Sequence, residues 1–176
     1  TILKRFRQSI LSAACSGRLT EDWRAASYNA DETAELLASL RGRLARPATI
    51  SDDEPLPDLE APDEWPVVRL GLLTERITSG SRAWSKYYRD DAPATFVMAQ
   101  NVRALRFDRS TRQGVAPPVN DSERERTRVR KDDILVTIVG ANTGDVCRVP
   151  LAVEEHYVCQ SVALVRPTLP ETSPFL

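Results

Sequence analysis

The feature that most restricts the fold of this chain is an acidic, proline-rich stretch from Ser51 to Pro66. It contains four prolines, and residues 51–64 carry seven carboxylates and no basic side chain. Proline lacks a backbone donor, and the carboxylates repel one another. Since the stretch also shows no apolar periodicity, it is predicted to be an extended linker. We therefore expect three parts: a helical segment at residues 1–50, the linker at 51–64 and a second domain at 65–176.

Charge differs between these parts. The whole chain has 24 basic and 25 acidic residues, and this net charge of −1 excludes a uniformly basic nucleic-acid coat. A hydrophobic fraction of 41% excludes a disordered tail. Between Arg69 and Lys131, however, fourteen basic residues stand against seven acidic ones, and most are arginines, which suit phosphate oxygens and the guanine edge. On charge alone, a nucleic-acid surface and an ordinary solvated face both fit this surplus.

The first part is predicted to be helical. Apolar side chains recur at three- and four-residue spacing from Leu3 to Ser16, which indicates an amphipathic helix that Gly17 ends in a left-handed conformation. Asn29 and Glu32 resemble a capping box that begins a second helix, and its leucines continue to Leu44 before Pro47. An isolated helix as short as the first is marginal in water, so its apolar face needs a partner helix. The candidate docking residues on that face are Leu3, Phe6, Ile10 and Ala14.

Beyond the linker, short β-type runs replace the helical spacing. The predicted strands are Val67–Leu70, Thr95–Met98, Val102–Phe107, Ile134–Val139, Asp145–Val149 and Val158–Val165. The run at Ile134–Val139 is apolar except for Thr137 and is expected to be largely buried on both faces. The last run is expected to stop before Arg166 and Pro167. The fold class is therefore predicted as α+β, with amphipathic helices followed by a mixed, β-rich domain that we expect to be incomplete at its carboxyl end.

No catalytic arrangement can be assembled from the motifs. The loop Gly140–Gly144 follows a strand, but a Walker loop needs Lys and a hydroxyl where this chain continues with Asp145. A turn between strands is favoured for it, and contact of Asn142 or Thr143 with nucleic acid is the alternative. His156, the only histidine, has no second metal ligand at a useful spacing and is interpreted as a polar surface residue before a strand.

The adjacent aspartates and the cysteines are interpreted as structural residues rather than as reactive groups. The pairs Asp90-Asp91 and Asp132-Asp133 are interpreted as turn residues, because adjacent carboxylates point apart. Cys15, Cys147 and Cys159 form no Cys-x-x-Cys spacing and are interpreted as buried thiols in a reducing cytoplasm. No apolar run approaches the roughly 20 residues of a membrane-spanning helix, so no membrane partner is expected.

The loop Thr78–Arg89 combines bases, hydroxyls and aromatic rings, a mixture that suits phosphate, sugar and base-edge contacts. The alternative is an ordinary loop whose Trp84 and Tyr88 pack into the core. A second group, at residues 100–103, offers amides that suit adenine and an arginine that suits guanine, although these groups could also be satisfied internally. The candidate DNA-binding residues are Ser81, Arg82, Lys86, Tyr87, Arg89, Gln100, Asn101, Arg103, Asn142 and Thr143.

Several segments, in order, resemble one protein family. LKRFRQSILSAACSGRLTEDWR, at residues 3–24, resembles the end of the helical spacer in the DNA-specificity subunits of type I restriction-modification systems. PDEW at 62–65 and VVRLGLL at 67–73 resemble the entry of their target recognition domain. KDDILV at 131–136, VGANTG at 139–144, QS at 160–161 and ALVRP at 163–167 resemble its middle and later parts.

This resemblance implies a non-catalytic reader of double-stranded DNA. Family members carry two recognition domains, each of which reads half of a split target, held apart by helices that dock two methyltransferase subunits. The chain would then be the centre of a longer subunit or one half of a split one. S-adenosylmethionine, ATP and magnesium are expected on the methyltransferase and restriction (translocase) subunits, and no cofactor is expected on this chain. A cytoplasmic role in DNA methylation and phage defence follows from the same resemblance.

Two other hypotheses remain at this point. The β-rich domain could be a protein-interaction scaffold that binds an acidic partner through its arginine-rich face. An enzyme with its own nuclease or hydrolase site is the least favoured, because no nucleophile, base or metal cluster can be assembled from the sequence.

Overall fold

Helices occupy the first part of the structure and strands the second. The structure, a computed structural model, describes residues 2–43, 61–151 and 153–176. The chain separates into two units, Thr1–Leu72 and Leu73–Leu176, which we call the helical unit and the sheet unit. The predicted α+β class is confirmed. No helix within the described ranges is long and apolar enough to cross a membrane.

The helical unit contains α1 (Ile2–Cys15), α2 (Glu21–Ser27) and α3 (Ala30–Arg43). Gly17 ends α1 as predicted, at a φ of 76°, and the docking face of α1 is exposed. The predicted cap of α3 is also present, because Asn29 Oδ1 accepts hydrogen bonds from the backbone N–H groups of Asp31 and Glu32. Helix α2 was not predicted. The expected end of α3 near Leu44 and most of the linker, at residues 44–60, lie outside the described residues.

The sheet unit contains three small sheets. A four-stranded antiparallel sheet has the order β1-β9-β6-β7, a three-stranded sheet has the order β5-β2-β8 with β2 and β8 parallel, and β3 pairs with β4 as a hairpin. The helix α4 (Glu123–Thr127) lies between β5 and β6 in the sequence. The strands are β1 (Thr74–Ser79), β2 (Ala94–Val97), β3 (Val102–Arg103), β4 (Arg106–Phe107), β5 (Gln113–Val115), β6 (Ile134–Thr137), β7 (Val146–Arg148), β8 (His156–Val158) and β9 (Val162–Pro167).

The strand predictions were partly wrong. Val67–Leu70 forms no strand, and a 3-10 turn at Leu70–Leu73 leads into β1, which the sequence pattern had not indicated. The runs Val102–Phe107 and Val158–Val165 each divide into two strands. Strand β9 continues through Pro167, since β6 ends its pairing at Val165 and the proline has a neighbour only in β1.

The core of the sheet unit is apolar and partly aromatic. Trp84 is fully buried, with its ring 5.2 Å from Tyr157 and 5.9 Å from Phe96, and its Nε1 donates a 2.9 Å hydrogen bond to Asp121. The alternative in which Trp84 packs into the core is therefore the one observed. Of the three cysteines, Cys147 and Cys159 are buried and free as predicted, but Cys15 is exposed at the end of α1, where the prediction was wrong.

Candidate nucleic-acid interface

Four connections of the sheet unit meet at one edge of its sheets. Strands β2 and β8 are parallel neighbours, so their carboxyl ends, Val97 and Val158, lie side by side. Strand β1 ends at the same place, because Ser79 pairs with Ala163 near the start of β9, and β6 ends there because Thr137 pairs with Val162. We call this surface the loop edge. It comprises residues 80–82, 98–101, 138–145 and 159–161.

Backbone hydrogen bonds fix the loop edge through residues 159–161. Gln160 N–H donates to Ser81 O at 3.1 Å, and Cys159 N–H donates to Val97 O at 3.0 Å. Ile138 N–H donates to Ser161 O at 2.9 Å. The exits of β1, β2 and β6 are thus all attached to the connection between β8 and β9, so the loop edge is held by paired backbone rather than by side chains.

A glycine permits the tightest of these approaches. A Cβ atom on Gly80 would overlap the backbone carbonyl oxygens of Val158 and Cys159. Gly80 N–H also donates to Val162 O at 3.2 Å. Only a residue without a side chain allows the exit of β1 to lie this close to the end of β8.

Polar side chains without partners project from the loop edge. Arg82, Gln100, Asn142 and Gln160 are exposed, and their side chains make no hydrogen bond or ion pair within the described residues. The single acidic residue of the loop edge is the half-buried Asp145. Such amide and guanidinium groups can exchange water for a ligand without breaking an internal bond. The sequence prediction included Arg82, Gln100 and Asn142 but missed Gln160, which no spacing or charge pattern distinguishes.

The turn in the loop edge has the predicted form. Gly140 and Gly144 have φ values of 125° and 94°, and the loop joins β6 to β7. Thr143 Oγ1 donates a 2.7 Å hydrogen bond to Gly140 O, so its proton is used within the turn while its oxygen can still accept. The favoured interpretation of this loop as a turn is confirmed, and Asn142 and Thr143 stay exposed on it.

Two predicted DNA-binding residues are interior instead. Asn101 is 4% exposed; its Oδ1 accepts from Met98 N–H at 2.9 Å and its Nδ2 donates to the carbonyls of Asp108 and Thr111, each at 2.9 Å. Its amide is therefore satisfied internally, which was the alternative left open by the sequence. Ser81 is also buried, and its hydroxyl has no partner among the described residues. Neither side chain is exposed, and Asn101 supports the loop edge from within through its hydrogen bonds.

Three further candidates lie toward the opposite end of β2. Arg89 N–H donates to the carbonyl of Gly114, the partner of Thr95, and the Arg89 side chain pairs with Asp91 at 3.3 Å. Tyr87 accepts a backbone hydrogen bond from Ala116, and Lys86 Nζ lies 5.0 Å from the centre of the Tyr87 ring. At about 3.3 Å per strand residue, the two ends of β2 are about 10 Å apart. The structure thus places the backbones of Tyr87 and Arg89 toward the end of β2 opposite the loop edge, and Lys86 is adjacent to Tyr87 in the chain.

Arg103 lies beside the loop edge on β3. Its Nη1 donates to the carbonyls of Ala99 and Val102, each at 3.3 Å, so its guanidinium is held against the connection that follows β2. The opposite end of the guanidinium carries further donors, and a single arginine has five. Arg103 is therefore oriented by the loop edge and retains donors for an external acceptor.

A small pocket lies beside His156 on one face of the three-stranded sheet, and Asn101 of the loop edge also lines it. It has a volume of about 190 Å³ and is lined by residues that include Thr95, Phe107, Arg109 and Arg112. The prediction of a surface histidine was wrong, since His156 is half-buried and its Nδ1 is a buried atom without a hydrogen-bond partner among the described residues. Burial and the charge of Arg109 lower the pKa of His156. Within the described residues, no three His, Cys, Asp or Glu side chains come together as metal ligands.

Comparisons with known proteins yield structural matches only. No protein-family model matches the chain, and no curated protein matches it in sequence. The crystal structure of the HsdS subunit from Thermoanaerobacter tengcongensis aligns with 92% of this chain at 20% identity and a TM-score of 0.44. A second structure, from work on complex assembly and conformational transition of the type I R-M system, aligns with 86% of the chain at 19% identity and a TM-score of 0.43. The chain spans 36% of the length of each of these proteins.

Proposed function

We propose that the sheet unit reads one half of a split double-stranded DNA target, as part of a type I restriction-modification specificity subunit. The observation that carries this proposal is the loop edge, where four connections present arginine and amide side chains that have no partner among the described residues. The ordered resemblance of sequence segments to that family supports the same function. Methyl transfer and cleavage are assigned to partner subunits.

The side chains of the loop edge match the chemistry of a DNA groove. A carboxamide such as that of Gln100 or Asn142 can donate to N7 and accept from N6 of adenine in the major groove with two hydrogen bonds. Arg82 can neutralise a phosphate and fix the position of the domain on the duplex. Because Asp145 is the single acidic residue of the loop edge, little negative charge opposes the approach of DNA there.

Unpaired positive charge across the sheet unit supports binding to a polyanion. Five arginines between Arg69 and Lys131 form ion pairs with neighbouring carboxylates: Arg89, Arg106, Arg124, Arg126 and Arg130. In the described part of the chain, several other exposed bases form no ion pair: Arg82, Lys86, Arg109, Arg112, Arg128 and Lys131. The surplus predicted from the sequence is therefore not cancelled by salt bridges.

The helical unit is proposed to dock partner subunits. Leu3, Phe6 and Ile10 are large apolar side chains exposed on one face of α1. A short amphipathic helix gains most of its stability by burying such a face against another element. We propose a helix of a specificity subunit or a methyltransferase subunit as that element, and we assign S-adenosylmethionine, ATP and magnesium to the methyltransferase and restriction subunits.

Selection from a library of random-sequence duplexes tests this function. The purified chain is expected to enrich a short motif, and fluorescence anisotropy is expected to show tighter binding to that motif than to a scrambled duplex of equal length. Specific affinities typically exceed non-specific ones by at least about 10³-fold. Equal affinity for both duplexes would contradict the proposal, and binding that heparin but no specific duplex competes away would favour the scaffold hypothesis instead.

A further inference from the structure

Leu105 combines two unfavourable features at the tip of the β3–β4 hairpin. Its φ is 62°, in the left-handed region, and the residue is 72% exposed. Left-handed backbone is common for glycine and asparagine and disfavoured for a bulky residue. A leucine at this position stabilises neither the turn nor the core. A contact between its side chain and a partner molecule would account for its presence.

The hairpin tip lies next to the loop edge. Leu105 N–H donates a 2.8 Å hydrogen bond to the carbonyl of Val146, the first residue of β7, and β7 directly follows residues 138–145. The backbone of Leu105 is thereby held against β7, which directly follows the connection that carries the exposed Asn142. Ile138 and Val139, which begin the same connection, are exposed as well.

Basic residues flank the tip on both sides. Arg103 precedes it, and Arg106 follows it with a side chain 68% exposed. Arg106 pairs with Asp108 at 3.0 Å near the surface, and a pair of this kind contributes little to stability and can be exchanged for a phosphate. A leucine between two arginines favours a nucleic-acid partner over an apolar protein surface, because both charges would otherwise be desolvated without compensation.

We propose that Leu105 contacts the C5 methyl group of a thymine in the DNA target, with Arg106 on the adjacent phosphate. A two-stranded ribbon fits the major groove, where the thymine methyl is the one apolar group of a base edge. This inference rests on the proposed function and adds a specificity-determining residue to it. Leu105 would thus supply apolar readout beside the hydrogen-bonding side chains of the loop edge.

The test combines variants of Leu105 with modified DNA. The motif selected by the wild-type chain is expected to contain a thymine whose replacement by uracil, which lacks only the methyl group, weakens binding about fourfold, the equivalent of one buried methyl. Leu105→Gly is expected to lose both the preference for thymine and the sensitivity to uracil, and Leu105→Met is expected to retain them. Leu151→Gly is the matched control, since this exposed leucine lies beyond the opposite end of β7.

Effects of these substitutions on stability can be distinguished from their effects on DNA binding. Glycine relieves the left-handed strain, so Leu105→Gly is expected to melt at or above the wild-type temperature. If the wild-type chain enriches no sequence, the proposed function itself is contradicted. If it enriches a motif that neither Leu105→Gly nor uracil affects, only the role of Leu105 is overturned, and weaker binding of that variant to a methyltransferase subunit would then mark the tip as a protein contact.

Discussion

Arg166 donates two hydrogen bonds to Asp133 in the interior of the sheet unit, from Nε to Oδ1 at 2.7 Å and from Nη2 to Oδ2 at 2.8 Å. Asp133 is 1% exposed and Arg166 5% exposed. The pair also orders neighbouring backbone, because Arg166 Nη2 donates to Arg128 O at 2.8 Å and Asp133 Oδ2 accepts from Arg130 N–H at 2.6 Å. It therefore joins β9, the start of β6 and the segment that follows α4.

Removing one partner of this pair is expected to destabilise the sheet unit strongly. Arg166→Met leaves an uncompensated buried carboxylate, and such changes cost about 3–5 kcal/mol of unfolding free energy. Denaturant unfolding measures the loss. Arg89→Met is the control, because the Arg89–Asp91 pair is exposed and is expected to change stability by less than about 1 kcal/mol. Equal effects of the two substitutions would contradict the structural role of the buried pair.

A side chain at Gly80 is expected to disturb the loop edge. Gly80→Ala places a Cβ against the carbonyls of Val158 and Cys159, and overpacking of this kind costs about 1–3 kcal/mol. Gly42→Ala in α3 is the control, because apart from the backbone of its own helix no atom of the described residues lies within 4 Å of its added Cβ. Thermal melting should show a lower melting temperature for Gly80→Ala only. A melting temperature equal to that of the wild type would show that β1 and β8 do not approach this closely.

The stability of the sheet unit is expected to fall as the pH drops below about 6.5. Burial and the charge of Arg109, with a smaller effect of Arg112, lower the pKa of His156, against opposing effects from Glu154. The unfolded chain, with an ordinary histidine pKa, therefore binds the proton first, and unfolding is favoured as the pH falls through that value. Asp108, which also lines the pocket, titrates at lower pH because hydrogen bonds from Ser110 lower its pKa.

Unfolding free energies between about pH 5.5 and pH 7 test this dependence. One proton limits the slope to about 1.4 kcal/mol per pH unit, and stability should rise with pH across the window. His156→Gln removes the only histidine of the chain and should flatten the slope. An identical slope in the wild type and in His156→Gln would contradict the lowered pKa of His156.

The sequence predicted a helix and a turn that are determined by residues close together in the chain. The spacing of apolar residues identified α1, and Gly17 ends it because glycine, which has no Cβ, adopts its φ of 76° without strain. The turn Gly140–Gly144 was predictable for the same reason, since its glycines have positive φ values. The domain limits at residues 50 and 64 remain a prediction.

Long-range pairing determined the features that the sequence could not reveal. The partner of Arg166 lies 33 residues away, and nothing near either residue indicates that they meet. Asn101 looked like a base reader, but its amide is used by residues up to 10 positions further along the chain. The loop edge depends on β8 pairing in parallel with β2, a contact across about sixty residues that no periodicity encodes.

Removing an amide of the loop edge is expected to relax sequence preference at one position. Gln100→Ala should cost about 1–3 kcal/mol of binding free energy for one base pair and leave the other positions unchanged. Asn101→Ala is the contrasting variant, because it breaks interior hydrogen bonds and should lower stability. Selection from random duplexes measures the preference. A uniform loss at every position in Gln100→Ala would contradict direct base readout.

Removing a phosphate-contacting charge is expected to weaken binding to every sequence. Arg82 has no internal partner within the described residues, so Arg82→Ala should reduce the slope of log K against log salt by about one unit, the contribution of one phosphate contact. Arg89→Ala is the matched control, since Arg89 lies near the opposite end of β2 and already pairs with Asp91. Anisotropy titrations at several salt concentrations give both slopes. If Arg89→Ala reduces the slope as much as Arg82→Ala does, DNA contacts both ends of β2 and the binding surface is broader than the loop edge.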